Sequence, residues 1–239
     1  MAYVFFATPC LKHQVTVEFL RSAMATQTLL HSEGIATTWS IRAGDPFIAK
    51  CRSKLVKDFL DHADATDLFF LDDDIGWPAE KVLEFVNNDA PVLAGIYPKK
   101  QDKPDWPVAL AADPETGAFW EADGLIRAKH APTGFLRIKR WVLEKAFFRA
   151  APFRETEADG VTREYRAVFV EGPAGDGLWW GEDFAFCNAL EEMGVEIWVD
   201  PDIEFKHFGD KTWMGNMVGS LDTFRSRAAA AVAQKSAAA

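Results

Sequence analysis

The feature that most constrains the fold of this chain is an alternation, over its first hundred residues, of short apolar runs with segments of helical periodicity. Such an alternation is typical of β-α-β units, in which parallel strands form a sheet and the connecting helices cover its faces. The N-terminal half is therefore predicted to be Rossmann-like. The apolar runs predict parallel strands at residues 3–7, 35–41, 67–71 and 91–96.

Apolar residues at helical spacing predict a helix in each of the three connections between these strands. Asp45 and Pro46 are predicted to begin the second helix as its N-cap and its first-turn proline, and Pro78 to open the third. The side chains predicted to face the core are Val17, Leu20, Met24 and Thr28 in the first helix, Ile48, Leu55 and Phe59 in the second, and Val82, Phe85 and Val86 in the third.

Beyond residue 100 the pattern changes to short strands joined by turns, which predicts an antiparallel meander continuing to residue 138. A helix at 140–148, a strand at 165–170, a helix at 182–193 and a last strand at 195–199 are predicted to follow. The glycine-rich residues 172–181 indicate a mobile lid. One domain is expected over residues 1–227, and the alanine-rich tail, 228–239, is expected to be a frayed helix or disordered.

Charge and cysteine content narrow the possible functions. The net charge of −10, from 36 acidic and 26 basic residues, does not favour broad attraction to nucleic acid or to an anionic membrane. Three widely separated cysteines fit neither a disulfide framework nor a zinc site, and they favour a reducing cytoplasm. The apolar run at the N-terminus is too short for a signal peptide or a membrane span.

Three consecutive acids, Asp72, Asp73 and Asp74, follow the predicted third strand and are called the acidic triplet below. They lie at the carboxyl end of a parallel strand, where open α/β sheets bind ligands. On extended backbone, Asp72 and Asp74 face one side, so both carboxylates can share a divalent cation that bridges pyrophosphate oxygens. The alternative is that the triplet caps the next helix or forms a solvated turn.

Two further groups have the chemistry of a transferase site. Glu182 and Asp183 begin a predicted helix, where the macrodipole favours an ionised carboxylate that can accept the proton of an attacking hydroxyl. Simple capping of that helix is the alternative explanation. His207 follows the last predicted strand, and it is either a metal ligand or a structural histidine.

In content and order, the motifs at residues 69–74, 181–183 and 206–209 resemble those of GT-A glycosyltransferases, and most of all the short family 2-like forms of bacteria and their viruses. The resemblance covers residues 2–209. It implies an α/β, Rossmann-like GT-A fold with a mostly parallel central sheet and a smaller antiparallel sheet on the acceptor side. It also implies metal ligands and a catalytic base for a metal-dependent hexosyltransferase-like enzyme. The ligands to Mn²⁺ or Mg²⁺ are Asp72, Asp74 and His207, and the base is Asp183.

The same resemblance implies how a nucleotide-diphosphate sugar, with a UDP-sugar as the expected donor, and its acceptor are bound. Glu182 is expected to contact the acceptor or the donor sugar. Apart from the resemblance, Trp179 or Trp180 is expected to face the acceptor, because indole faces stack on sugar rings, and core packing is the alternative for either one. From their position after the fourth strand, Tyr97, Lys99 and Lys100 are expected either to approach the diphosphate or an anionic acceptor or to form a solvated basic loop. The donor-binding residues are expected to be Thr8, Pro9, Asp45, Arg52, Asp73 and Gly134.

Two departures from the family pattern limit these expectations. The Asp-Gly-Ser signature after the second strand is replaced by Arg42-Ala43-Gly44-Asp45, which leaves the nucleoside contacts open. The Gln-X-X-Arg-Trp motif of processive members is absent, so a polysaccharide synthase is not expected. The sequence leaves open whether the acceptor is a hydroxylated DNA base, a polysaccharide or a protein, and whether the reaction inverts or retains configuration.

Two other functions remain possible at this point. A nucleotidyltransferase normally carries a glycine-rich phosphate loop followed by a basic residue, and residues 8–12 do not supply one. A non-catalytic nucleotide-sugar or divalent-cation binding protein needs the acidic triplet but has no use for Asp183. Donor turnover that depends on Asp183 distinguishes the enzyme from the binding protein.

Overall fold

The structure is a computed structural model that describes residues 2–175 and 177–238. The helices are α1 (Val17–Ser32), α2 (Ile48–Asp61), α3 (Ala79–Val86), α4 (Arg140–Arg149), α5 (Glu182–Glu192) and α6 (Leu221–Ala238), with a 3-10 turn at Val218–Ser220. The strands are β1 (Tyr3–Cys10), β2 (Ala36–Ala43), β3 (Asp67–Leu71), β4 (Ile75–Gly76), β5 (Val92–Gly95), β6 (Ala109–Leu110), β7 (Glu121–Ala122), β8 (Leu125–His130), β9 (Phe135–Lys139), β10 (Pro152–Thr156), β11 (Thr162–Arg166), β12 (Gly172–Pro173), β13 (Trp179–Trp180), β14 (Ile197–Asp200), β15 (Phe205–Phe208) and β16 (Thr212–Gly215).

Nine of the described strands form one central sheet in the order β2-β1-β3-β9-β5-β14-β8-β6, with β7 also paired to β8. Strands β2, β1, β3, β5 and β14 run in one direction, while β9, between β3 and β5, and β8 run in the other. Three smaller sheets are formed by β10-β11, by β12-β13 and by β16-β15-β4, and the strands within each are antiparallel. The predicted α/β fold with a mostly parallel central sheet and smaller antiparallel pairing is confirmed.

The central sheet is covered on both faces. Alternate residues of β1 belong to different hydrophobic layers, with Phe5 and Ala7 facing α2, α4 and α5, and Val4 and Phe6 facing α1 and α3. All five residues of β3 are buried, because this strand lies inside the sheet and is covered on both faces. An uninterrupted apolar run is typical of such a strand, which is why the sequence locates β3 correctly.

Helix α1 forms where it is predicted, but the predicted buried face is wrong. Val17, Leu20 and Met24 are more than half exposed, and the helix instead buries Phe19, Thr26 and Leu30. The reason is the loop after β4, where Trp77 packs edge-on against Phe19 and donates a hydrogen bond from Nε1 to Thr26 Oγ1. Helix α1 carries two apolar stripes, and this tertiary contact selects the one with the aromatic ring.

The start of α2 also differs from the prediction. The N-cap position is Phe47, and Asp45 lies two residues earlier, where its Oδ1 accepts a hydrogen bond from the Phe47 backbone N–H. The predicted cap is therefore wrong, because Asp45 closes a local turn ahead of the helix. The buried positions Leu55 and Phe59 in α2, and the three predicted in α3, are confirmed.

Strand β9 contradicts the predicted meander. Residues 133–138 do not continue the hairpins of β6, β7 and β8, because β9 enters the central sheet between β3 and β5. Its Arg137 is fully buried and donates to the carbonyl oxygens of Phe85, Asn88 and Ala90 at the end of α3. Burial lowers the pKa of Arg137 to about 10. Such a carbonyl-lined site is a tertiary feature, and no local sequence pattern indicates it.

The C-terminal third contains two further corrections. The strand predicted at 165–170 is β11, and it ends at Arg166 as one half of a hairpin with β10. Helix α6 begins at Leu221, ahead of the predicted tail boundary at residue 228, and runs to Ala238. Among the described residues, no helix has both the length and the apolar character needed to cross a membrane.

Candidate active site

A cleft of about 860 Å³ opens at the carboxyl edge of the central sheet, where β1, β2 and β3 end. Open α/β sheets bind ligands at this edge. The walls of the cleft come from the segment after β1, the start of α2, the acidic triplet and the start of α5. The residues predicted from the sequence that line it are Pro9, Asp45, Arg52, Asp72, Asp73, Asp74 and Glu182.

The acidic triplet does not continue β3 as extended backbone. Strand β3 ends at Leu71, and Asp73 and Asp74 lie in a turn that leads directly into β4. The predicted strand-like alternation of the three side chains is therefore wrong. The two outer aspartates, Asp72 and Asp74, instead face different partners.

Asp72 is held by three hydrogen bonds. Its Oδ1 accepts from Arg52 Nη2 at 2.8 Å, its Oδ2 accepts from the Tyr97 hydroxyl at 3.4 Å, and its backbone N–H donates to the Gly134 carbonyl at 2.9 Å. A Cβ atom at Gly134 would lie 2.2 Å from Asp72 Oδ2 and 2.4 Å from the Tyr97 hydroxyl. Gly134 therefore leaves the space that the Asp72 carboxylate and the Tyr97 hydroxyl occupy.

Arg52 connects the acidic triplet to α5. Its side chain is only 3% exposed, and in addition to Asp72 it donates from Nε to Glu182 Oε1 at 3.2 Å and from Nη1 to the Thr133 carbonyl at 3.5 Å. Burial alone lowers the pKa of Arg52, but the charges of Asp72 and Glu182 raise it by more, so the guanidinium stays charged. One planar group thus holds both Asp72 and Glu182, the second of which lies 130 positions after Arg52.

Asp74 has a different environment. Its Oδ2 accepts from Lys100 Nζ at 2.5 Å, and its Oδ1 lies 3.5 Å from His207 Nε2. Burial raises the pKa of Asp74, but the contacts with His207 and Lys100 lower it by more, so this carboxyl is ionised. The short strand β4 brings these residues together, because His207 of β15 pairs with Ile75 directly after the triplet.

Two side chains of types that ligate divalent cations, a carboxylate and an imidazole, meet at Asp74. His207 Nδ1 donates to the Pro98 carbonyl at 2.7 Å, so in the neutral imidazole Nε2 carries a lone pair that faces the Asp74 carboxylate. These two groups repel each other unless a proton or a cation lies between them. Asp72 is not part of this pair, and within residues 2–175 and 177–238 no three His, Cys, Asp or Glu side chains form a group that holds a metal ion.

Asp183 lies at the opening of α5, beside the Arg52 network. The N-cap position of this helix is Gly181, so neither Glu182 nor Asp183 serves as the cap. Asp183 Oδ1 accepts from the Phe184 backbone N–H at 2.8 Å. Burial and the charge of Glu182 raise the pKa of Asp183, which makes it a stronger proton acceptor when ionised than an exposed aspartate.

The two predicted tryptophans differ in their surroundings. Trp179 is 70% exposed, whereas the half-buried Trp180 lies with its ring centroid 5.9 Å from that of His130, which in turn lies 4.4 Å from Phe184. Of these two indoles, that of Trp179 is the more exposed. Residue 176, inside the predicted lid, lies outside the described residues.

The remaining predicted residues fall into two groups. Thr8 and Tyr97 lie beneath the surface, and the buried Thr8 Oγ1 has no hydrogen-bond partner in the described part of the chain. Burial and the charge of Asp72 raise the pKa of Tyr97 well above its usual value, so its hydroxyl stays protonated. Lys99 pairs with Asp105 at 2.7 Å and does not line the cleft, whereas its neighbour Lys100 does.

Sequence reasoning missed two features of this site. An arginine in a helix is usually exposed, so the burial of Arg52 was not anticipated, and its spacing from the apolar positions Leu55 and Phe59 was the available signal. The contact of Lys100 with Asp74 was also missed, because it depends on how the segment after β5 crosses the acidic triplet. The cleft further includes Cys10, Lys12, Gln14 and Glu18 at the end of β1 and the start of α1.

Comparisons with known proteins bear on the fold. No family model and no curated protein matches the sequence. The solved structure of A197 from STIV superposes with a TM-score of 0.53, at 20% identity over 90% of each chain, which shows a shared fold. A looser likeness is to a glycosyltransferase involved in the glycosylation of the major capsid of PBCV-1, with a TM-score of 0.36 and 10% identity over 61% of this chain and 63% of that one. Another is to the inositol-1-phosphate CTP transferase from T. maritima, with a TM-score of 0.39 and 9% identity over 95% of each chain. The chain has the predicted α/β fold with a mostly parallel central sheet, and it shares its fold with A197.

Proposed function

We propose that this protein is a metal-dependent glycosyltransferase that moves a sugar from a nucleotide-diphosphate sugar to a hydroxyl acceptor. The observation that carries the proposal is the convergence, at one cleft, of groups that are distant in sequence. Arg52 joins Asp72 to Glu182, and Asp74 meets His207. A site built only for stability has no need of five ionisable groups at the ligand-binding edge of the sheet.

The cleft has a size suited to a nucleotide-diphosphate sugar, and some of its lining side chains are cationic. Its volume of about 860 Å³ lies within the usual range for small-molecule sites. Pro9 and Asp45 line the part of the cleft next to β1 and β2, where the nucleoside is proposed to bind, with uridine as the expected nucleoside. Arg52 and Lys100 line the central part, and their positive charges favour the diphosphate there.

Asp74 and His207 are the residues proposed to hold Mn²⁺ or Mg²⁺. When bound, the ion offsets the negative charge that grows on the leaving nucleoside diphosphate. Asp72 is a further proposed ligand only if its carboxylate leaves Arg52, since its two oxygens already accept hydrogen bonds. In its observed position Asp72 instead keeps Arg52 oriented toward the cleft.

Asp183 is the proposed general base. As the acceptor oxygen attacks the anomeric carbon, its proton passes to the Asp183 carboxylate, and the bond from that carbon to the diphosphate oxygen breaks. Glu182 is proposed to hold the acceptor or the donor sugar, and it is itself fixed by Arg52. The exposed face of Trp179 is proposed to stack on the acceptor. The acceptor class stays open among hydroxylated DNA base, polysaccharide and protein.

The test is turnover of nucleotide sugars by the full chain, with and without Mn²⁺, in the wild type and in Asp183→Asn. Removing a general base is expected to reduce kcat by about 10²- to 10⁴-fold. Asp64→Asn, an exposed position next to α2, is the matched control and is expected to keep full activity. Unchanged turnover in Asp183→Asn contradicts the assignment. Release of pyrophosphate when the protein is instead given a nucleoside triphosphate and a sugar 1-phosphate would show the alternative, nucleotidyl transfer.

A further inference from the structure

Lys100 occupies a position at which two kinds of cation compete. Its ammonium contacts Asp74 Oδ2, and the other oxygen of the same carboxylate faces His207 Nε2. The lone pair of that imidazole and the Asp74 carboxylate are the donor set that fits a divalent ion. An ammonium bound to Asp74 repels such an ion, because like charges within a few ångströms raise each other's energy.

Lys100 differs from the other cation of the cleft in how firmly it is held. Arg52 is 3% exposed and its planar group donates to three partners, whereas the Lys100 side chain is 34% exposed and contacts one carboxylate. A lysine ammonium lies at the end of a flexible four-carbon stem and does not require a fixed direction of approach. Lys100 is therefore able to leave Asp74 while Arg52 stays in place.

The Lys100 stem runs close to the backbone of Gly209. A Cβ atom at Gly209 would lie 3.2 Å from Lys100 Cδ and 3.0 Å from the Trp213 ring, so the absence of a side chain at Gly209 gives the stem its space. Both Lys100 and Gly209 line the cleft. The Lys100 ammonium thus lies at a wall of the cleft.

We propose that Lys100 is a counter-ion that exchanges partners. It pairs with Asp74 in the free protein, releases Asp74 to a divalent cation held with His207, and then binds the diphosphate of the nucleotide. Its last step rests on the proposed function, since it requires a nucleoside diphosphate in the cleft. Its first step does not, because competition between Lys100 and the ion requires only the metal.

The first experiment measures Mn²⁺ binding to the full chain without nucleotide, by calorimetry or by the electron paramagnetic resonance signal of free Mn²⁺. Lys100→Met removes the competing cation, so the Kd for Mn²⁺ is expected to fall about threefold to fivefold. Lys99→Met is the matched control, since Lys99 pairs with Asp105 outside the cleft, and its Kd is expected to equal that of the wild type. His207→Ala is expected to weaken Mn²⁺ binding.

The second experiment measures binding of UDP in saturating Mn²⁺. Lys100→Met is expected to weaken UDP about fivefold to tenfold, opposite in sign to its effect on Mn²⁺, and Lys100→Arg is expected to restore most of the loss. The proposal is overturned if the Kd for Mn²⁺ of Lys100→Met equals or exceeds that of the wild type. It is also overturned if His207→Ala binds Mn²⁺ as tightly as the wild type. UDP affinity unchanged in Lys100→Met overturns the exchange. If Lys100→Met tightens Mn²⁺ binding and weakens UDP binding, but the wild type transfers no sugar, this proposal holds and the proposed function is rejected.

Discussion

The two ends of the acidic triplet show how one short motif serves two purposes. The Asp72 end is locked, with a buried arginine, a protonated tyrosine and a glycine that leaves room for both. The Asp74 end is open, and its partners are one exposed lysine and one imidazole. The difference teaches that the first aspartate fixes geometry, whereas the last one is available for exchange with a ligand.

The largest effect on this comparison is expected from removing Arg52, which holds the Asp72 end. Arg52→Met leaves Asp72 and Glu182 without their shared cation, and loss of one partner from a buried ion pair costs about 3–5 kcal/mol, which partial exposure of the two acids reduces to about 2–4 kcal/mol. Urea unfolding measures the change. The control Arg21→Met, at an exposed pair on α1, is expected to change the free energy of unfolding by less than about 0.5 kcal/mol. If the free energy of unfolding changes by the same small amount in both variants, Arg52 does not hold the Asp72 end in place.

A smaller effect is expected from crowding the same end. Gly134→Ala puts a Cβ atom into the space of the Asp72 carboxylate and the Tyr97 hydroxyl, and such overpacking costs about 1–3 kcal/mol. Gly219→Ala is the matched control, because a Cβ atom there meets nothing within 4 Å. The free energies of unfolding of the two variants show whether the extra Cβ atom at position 134 destabilises the fold. If Gly134→Ala is as stable as Gly219→Ala, the Asp72 end is not tightly filled.

Glu182, which Arg52 holds at the Asp72 end, is also expected to influence the pKa of the proposed base, Asp183, through its negative charge. Burial and Glu182 raise the pKa of Asp183, and a general base must be ionised, so kcat/KM is expected to fall as the pH drops through this raised pKa. Glu182→Gln removes the neighbouring negative charge, so the acidic limb of the profile is expected to move to lower pH. A pH-rate profile of both proteins measures this, and a limb that moves to higher pH contradicts it.

The smallest effect is expected at the open end. Lys100→Met removes a pair in which both side chains are about one-third exposed, so the free energy of unfolding is expected to change by at most about 0.5 kcal/mol. This contrast with Arg52→Met sharpens the comparison, because both variants remove one positive charge from the same cleft. A loss at Lys100 as large as that at Arg52 would show that both ends are structural.

How far the sequence predicts this molecule depends on whether a feature is local. The apolar run of β3 and the acids after it are consecutive, so both the strand and the position of the triplet at the sheet edge were predictable. The burial of Phe19 in place of Val17 was not, because Trp77 selects between two apolar stripes on α1. Strand β9 enters the sheet for a similar reason, since its partners come from distant parts of the chain.

The same distinction applies to the candidate site. Asp72, Asp74, Glu182 and His207 were identified as residues, but their pairing was not, because it depends on β4 and on the burial of one helical arginine. The sequence predicts one group of two aspartates and a histidine. The structure instead divides the aspartates between Arg52 and His207.

The central claim is that this cleft binds a nucleotide sugar together with a divalent ion. Thermal unfolding of the wild type and of His207→Ala, each with a panel of nucleotide sugars and with or without Mn²⁺, tests it most directly. A donor at a hundred times its Kd stabilises the folded state by about 2.7 kcal/mol, so one sugar nucleotide is expected to raise the Tm of the wild type in Mn²⁺, and to do so far less in His207→Ala. A panel in which no nucleotide sugar raises the Tm, or in which the rise is the same in His207→Ala, contradicts the account.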